Sequence, residues 1–378
     1  MVMSKRAAEV VPAASPTSEN EWLPEFTSVV KVIESATPKG IAKEGYYGIP
    51  MLKRPTWGWE IAWYFYLEGI SAGSFVIASL AKLTGQKRLQ PLVRAGYYTS
   101  FVSFLPCPPL LIADLGDPSR FHHMLRVFKP TSPMNLGAWT LSVYSIPLAL
   151  LAGAHAAAEL PRTRSLKLAD DLRSARFLSA LGIPPALVML SYPGVLLSTT
   201  STPMWSESRL LGALFACSSF AAAASAISIV LALEGQHNHE SLRRVESIER
   251  VARIAELIAL GGYLVTSRKA LKPLMKGRYG WEFWLGAIGA GVLLPALVKA
   301  RAPRRRRSSL KTTILRSALS LAGGFVLKWA ITHAGRESAE DVRIAHNVTR
   351  PSRNAPGWGQ AHHPTSETRQ VELDVARP

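Results

Sequence analysis

Apolar residues along the chain gather into eight long stretches separated by short polar, mostly basic segments. The stretches fall at about 57–81, 94–115, 136–158, 176–200, 209–233, 250–268, 281–300 and 312–334. Each is roughly 20 residues or longer, the length of helix that crosses about 30 Å of hydrocarbon. The pattern predicts an all-α integral membrane protein with eight transmembrane helices. Several stretches are rich in small residues, such as Ala221 to Ala226 in the fifth. Small residues let membrane helices approach closely. Pro106, Pro108 and Pro109 interrupt the second stretch, and Pro184 and Pro185 the fourth. Such prolines suit a bundle whose neighbours satisfy the freed carbonyls.

Polar tails flank this region at 1–56 and 336–378. Residues 1–20 lack an apolar segment, so no secretory signal peptide is expected. Leu23, Phe26, Val29, Val30 and Ile33 are spaced as one face of a short amphipathic helix. The C-terminal tail mixes Pro, Arg, His, Ser and Thr without periodicity and is expected to be disordered.

Charge sets an expected orientation. The 44 Lys and Arg outnumber the 26 Asp and Glu, and basic loops stay in the cytoplasm. The loops after the first, third, fifth and seventh stretches carry Lys82, Lys87, Arg88 and Arg94; Arg162, Arg164, Lys167 and Arg173; Arg243 and Arg244; and Lys299, Arg301 and Arg304 to Arg307. Lys269, Lys272, Lys276 and Arg278, after the sixth, run against the trend. The balance places both termini outside. The Arg304–Arg307 run lies between two stretches, where it serves as a topological anchor or a contact for anionic lipid rather than for nucleic acid.

Ionisable groups inside a bilayer are costly and usually line a cavity or pair with one another. Glu60 and Glu68 lie in the first stretch, Asp114 ends the second, His155 and Glu159 end the third, and Glu256 lies in the sixth. On the expected orientation Glu60, Asp114 and the loop with His122, His123 and Arg126 share the outer face. Glu68 is deeper, and Glu256 and His155 lie towards the cytoplasm, as the inner part of a proton path. The plainer alternative pairs Glu256 with Arg253. Cys107 and Cys217 are the only cysteines, too few for an iron–sulfur cluster, which usually takes four thiolates. His155 and His333 fall at opposite depths, so no haem is expected, and no nucleotide-binding loop is present.

Several segments resemble a known family. Tyr66-Leu67-Glu68-Gly69-Ile70-Ser71-Ala72-Gly73 is similar to the opening of the NrfD/PsrC family of polysulfide-reductase-type membrane subunits. The most specific match runs from Leu111-Ile112-Ala113-Asp114-Leu115-Gly116-Asp117-Pro118 through Arg120-Phe121 to the segment Met124–Met134. Gly194 to Thr200, Pro203-Met204-Trp205, Ala334-Gly335-Arg336 and Ser338-Ala339 also fit. The resemblance covers about 57–340.

It implies a membrane domain over 57–335 made of two four-helix bundles, about 57–205 and 206–335. It implies a multi-pass subunit of the bacterial cytoplasmic membrane that exchanges electrons and protons between the quinone pool, menaquinone included, and an iron–sulfur subunit docked on the outer face. A molybdopterin or cytochrome subunit is a further implied partner. The quinone site is expected at the outer ends of the first, second and fourth spans. Glu68 and Asp114 are expected nearest the chemistry, with Glu60, His122, His123, Thr199, Thr200 and Trp205 around the headgroup. Two other classes stay open: an anchor for an electron-transfer partner without quinone chemistry, and a proton or solute transporter.

The orientation is testable by cysteine labelling. Gly40→Cys is expected to label with an impermeant reagent in intact cells, and Ser308→Cys only after lysis. The reverse pattern inverts the topology.

Overall fold

The computed structural model describes residues 52–160, 167–235, 239–301 and 310–341, together with 344, 345 and 348. The amphipathic segment expected around Leu23–Ile33 lies outside the described residues. Every regular element among the described residues is helical. The eight principal ones are α1 (Trp59–Leu83), α2 (Gln90–Phe104), α3 (Pro133–Glu159), α4 (Arg176–Ser198), α5 (Leu211–Leu233), α6 (His239–Thr266), α7 (Arg278–Trp281, Glu282–Leu293 and Leu294–Arg301 in succession) and α8 (Leu310–Glu340).

Six of these are long and apolar enough to cross a membrane: α1, α3, α4, α5, α7 and α8. Two of the eight expected spans depart from this simple form. The second stretch is broken. α2 stops at Phe104, a short helix Cys107–Ala113 follows, and the chain then bends by 117° into Pro118–Arg126. Pro106, Pro108 and Pro109 lack the N–H groups that a continuous helix needs there. Counting the bent pair as one span gives seven. The sixth stretch begins well ahead of residue 250, and α6 carries Glu246, Glu249, Arg250, Arg253 and Glu256. That charge takes it out of the apolar class, although its geometry inverts the usual rule. Glu249 and Glu256 are buried, whereas Val251, Ile254 and Ile258 are exposed. A helix at a water-facing surface buries its apolar stripe and exposes its charges. α6 does the opposite.

α1 is the central element. It packs against α2, α4, α5 and α8. Gly69, Ser71, Ala72, Gly73 and Ser74 give it a thin waist with every residue buried, so neighbours close in on all sides. α3 packs on α4 and α2, α5 on α4, α6 and α8, and α7 on α8. Glu60 in the first turn of α1 and Lys82 in the last complement the helix dipole. α8 runs on to Glu340, past the boundary expected at 336. Arg54 pairs with Glu340 at 2.9 Å, and Lys272 with Asp341 at 3.2 Å. These pairs and the burial of Ser338 and Ala339 hold the end of α8 in helical form.

The middle of α7 is wound as a π-helix over Glu282–Leu293. Its Gly291 meets Gly323 of α8 backbone to backbone, so a β-carbon on Gly291 would lie 2.6 Å from the Gly323 Cα. Gly323→Val is therefore expected to push α7 off α8 and lower stability by about 1–3 kcal/mol. Gly324→Ala serves as its control, because a β-carbon there meets nothing nearer than 3.8 Å. Thermal melts of the two variants in detergent check this, and equal melting points would refute the close approach.

Candidate functional site

A cavity of about 290 Å³ lies at the end of the molecule where α1 begins. Trp57, Ile61 and Tyr64 form one wall, and Pro108, Leu111 and Asp114 a second. Gly137, Leu141, Ser142 and Ser145 of α3 form a third, with Tyr192 and Leu196 of α4 behind. Phe121, Met124 and Leu125, from the bend after Asp114, complete it. The walls are mostly apolar, and the polar atoms are few and localised. This is the usual character of a small-molecule site.

The bend is held by local chemistry. Asp117 accepts hydrogen bonds from the Ser119 backbone N–H (3.2 Å) and hydroxyl (2.6 Å), and pairs with Arg120 at 3.0 Å. Ser132 caps α3 by accepting from the Asn135 N–H. Asn135 is a clamp. Its Oδ1 accepts from the Lys129 N–H at 2.7 Å, and its Nδ2 donates to the carbonyls of Met124 and Val127 at 2.8 and 2.9 Å. One buried side chain thus pins the loop whose Met124 and Leu125 line the cavity.

Asp114 lines the cavity. It faces the Gly58 backbone, with Glu60 and Arg336 in electrostatic reach. Glu68 lies one helical turn beyond Tyr64. It is 1% exposed, and neither carboxyl oxygen has a hydrogen-bond partner. The Tyr64 hydroxyl faces it without completing a hydrogen bond. Cys107, Tyr144, Tyr192 and Lys328 are the other groups that sense its charge. Tyr64 and Tyr192 therefore touch both the cavity and the buried carboxyl's field.

The remaining candidates are distributed more widely. His122 and His123 are exposed in the bend, their rings 4.4 Å apart, and are not part of the cavity wall. Thr199 and Thr200 donate back to the Leu196 and Leu197 carbonyls at 2.8 and 2.7 Å, as helix-end hydroxyls do. Trp205 is fully buried and donates to the Ile331 carbonyl at 2.9 Å. It supports the cavity from behind by stacking on Trp57, with centroids 5.7 Å apart. His155 lies at the opposite end of α3 against Tyr97, with its Nε2 unpartnered. Glu256 pairs with Arg253 at 2.5 Å, the plainer of the two readings of its sequence. His155 and Glu256 belong to different helix clusters and share no hydrogen-bonded route among the described residues.

Lys328 of α8 is among the groups that the sequence alone did not single out. It is 1% exposed and donates to the Phe65 carbonyl at 2.9 Å and to Ser219 at 2.7 Å. Gly69 makes room for it. A β-carbon there would lie 2.6 Å from the Lys328 Nζ. Behind Lys328 runs an ionic seam between α5, α6 and α8. Arg253 bonds both Glu256 and Ser320, and Ser320 meets Ser225 at 2.7 Å. Ser225 donates to Glu249 at 2.9 Å. Arg316 then joins Glu249 (3.3 Å) to Glu246 (3.0 Å). A signal was present: Arg316, Ser320, Gly324 and Lys328 recur every four residues inside an apolar helix, which places them on one face.

The fold and cavity define a multi-pass helical membrane protein with a walled site beside a buried carboxyl. The chain belongs to the polysulphide reductase, NrfD family, whose model matches residues 49–338. It is 25% identical over 308 residues to protein NrfD of Escherichia coli, covering 74% of this chain and 95% of that protein. It is 27% identical over 298 residues to the C chain of polysulfide reductase from Wolinella succinogenes, covering 74% and 94%. The C subunit of selenate reductase from Mesobacillus selenatarsenatis is 24% identical over 284 residues, with 64% and 66% covered.

Filling the cavity tests whether it binds a ligand. Ala138 lines it, and Ala138→Trp is expected to weaken binding of any small aromatic ligand held there at least about tenfold, the effect of losing roughly 1.4 kcal/mol. Calorimetric titration of the purified chain checks this. Unchanged affinity would place the ligand elsewhere.

Proposed function

We propose that this chain is the membrane subunit of a reductase complex, exchanging electrons and protons between the quinone pool and an iron–sulfur subunit docked at the cavity end. The observation that carries the reading is the cavity itself: apolar walls, Asp114 at its edge, and Glu68 buried and unpartnered beyond Tyr64. The chain's relatives include subunits of polysulfide and selenate reductases by name, which supports a place in such a complex.

A quinone supplies two-electron chemistry that moves two protons with the electrons. The protein must therefore hold the headgroup and handle protons beside it. Trp57, Ile61, Leu111 and Leu141 offer flat apolar contact to a ring. The Tyr64 and Tyr192 hydroxyls would hold the ring oxygens, and Glu68, buried beyond Tyr64, would be the nearby proton acceptor. Asp114 serves the opposite side, between the site and water. No cofactor held permanently by this chain is needed in that scheme. A molybdopterin or cytochrome subunit further along the complex would connect to the terminal substrate.

The same reading treats the membrane domain as eight passes in two four-helix bundles, with the cavity in the first. α6 then spans with its apolar face towards lipid and its charges turned inward. The orientation that follows from loop charge puts the cavity on the outer side of the cytoplasmic membrane.

The test is quinone-dependent turnover of the purified complex. Glu68→Gln and Asp114→Asn keep size and polarity but remove the titrating proton. Each is expected to lower turnover by about 10²–10⁴-fold, with co-purification of the partner subunits unchanged. Normal turnover in both variants would refute the quinone site and favour a plain membrane anchor.

A further inference from the structure

A second hollow, an open groove of about 640 Å³, shares no residue with the cavity. Phe325, Val326 and Trp329 of α8 form its floor. Trp63 of α1 is one wall, and Trp281, Glu282 and Leu285 of α7 are the other. α7 is the least buried of the six apolar spans, so the groove opens to the surroundings of the bundle. Trp63 lies in the second turn of α1, and Trp281 and Glu282 lie at the start of α7. Both belong to the end of the molecule where α1 begins. A membrane places tryptophan rings at the headgroup level, and this groove gathers three of them.

The aromatic lining is fixed by its own stacking. The Trp63 ring lies 4.4 Å from that of Phe325, and Phe325 lies 5.7 Å from Trp329. His333 stacks on Trp329 from behind, with centroids 4.0 Å apart. Rings held in this way offer their faces to a cation, which the ring quadrupole attracts. Trp281 remains exposed at the rim.

Charge makes the groove selective. Glu282 is the one carboxyl that lines it. Its Oε1 faces the Arg278 Nε at 3.7 Å, too far for a hydrogen bond, and its Oε2 has no hydrogen-bond partner. The terminal carboxyl torsion of a glutamate is soft, so either oxygen can turn to a donor in the groove. Arg278 stands one helical turn away, a spacing of about 6 Å, with its side chain 83% exposed. The pair carries no net charge. Around it Arg54 and Arg336 offset Glu337 and Glu340. A ligand that complements such a pair is a zwitterion, with its anion towards Arg278 and its cation towards Glu282.

We propose that this groove binds one phospholipid with a primary-amine headgroup, of the phosphatidylethanolamine class. An acyl chain lies along Phe325, Val326 and Leu285. The ammonium sits among the tryptophan rings and donates to the Glu282 carboxylate, filling the acceptor that the protein leaves empty. The phosphate faces Arg278. A quaternary choline ammonium meets the same rings but has no N–H for Glu282. A glycerol headgroup brings a net negative charge and no cation.

Native mass spectrometry of the full chain, freed of lipid by detergent exchange, reads the affinity for added dioleoyl phosphatidylethanolamine, phosphatidylcholine or phosphatidylglycerol. The ethanolamine lipid is expected to bind at least about tenfold more tightly than the glycerol lipid, the scale of one charge-assisted hydrogen bond, with the choline lipid between them. Glu282→Gln is expected to abolish this preference. Glu337→Gln, a carboxyl at the same end but outside the groove, is expected to keep it. Trp281→Ala removes only an exposed ring and is expected to weaken the two ammonium lipids by about threefold. Should Glu282→Gln not fold, Arg278→Gln takes its place and is expected to weaken the ethanolamine and choline lipids alike by at least about threefold. Equal wild-type affinities for the three lipids would overturn the proposal. So would a preference that survives Glu282→Gln, or binding unchanged in both Arg278→Gln and Trp281→Ala. A dimer of the chain that excludes lipid and dissociates in Trp281→Ala would give the groove to a second copy instead.

Discussion

An ionised side chain inside an apolar helix bundle must find an opposite charge or a dense set of hydrogen-bond donors. Much of this structure follows from that constraint. α6 presents Glu246, Glu249, Arg253 and Glu256 on one face, and α8 presents Arg316 and Lys328 opposite. Neither face is tolerable against lipid alone. Brought together with the serines of α5 between them, Arg316 and the α6 charges satisfy each other, while Lys328 is held by the Phe65 carbonyl and Ser219. The pairing fixes the rotation of α6, turning Val251, Ile254 and Ile258 outward. Removing one partner of such a set typically costs about 3–5 kcal/mol, because it strands the other. The seam therefore specifies helix register.

Glu68 is where the constraint is left open. It sits on the helix that touches most of the others, at a level where Gly69 lets Lys328 come close but where no donor completes a bond to its carboxyl. A structural carboxyl would be expected to have its acceptors filled. The cavity beside it is built by different means. A proline-broken helix, a capped bend and the Asn135 clamp create a volume that a straight second span would have filled.

Much of this was legible in the amino-acid order. Long apolar stretches at membrane length follow from hydrocarbon thickness alone, and six of the helices match them. The prolines at 106, 108 and 109 marked the weak point of the second span. Glu68 and Asp114 could be singled out because an acidic residue inside or at the end of an apolar stretch is rare for energetic reasons. Less legible was the first half of α6, where Glu246 and Glu249 lie ahead of the apolar stretch read from 250. Tyr64, Tyr192, Asn135 and Lys328 were passed over for a related reason. A tyrosine, an asparagine or a lysine in isolation has many ordinary roles, and only its neighbours choose among them.

Sequence by itself thus determined the class of protein and the carboxyls at issue, because desolvation cost acts on each residue wherever the chain goes. Tertiary structure alone decided which of those carboxyls is paired and which stands beside the cavity. It put Glu256 with Arg253, left Glu68 facing Tyr64 and Lys328, and set His122 and His123 apart from the cavity wall. Pairing depends on distances between residues far apart in sequence, such as Lys328 and the Phe65 carbonyl it binds across 263 positions. No local pattern encodes that separation. It emerges when helices find the rotation that leaves the fewest charges without a partner.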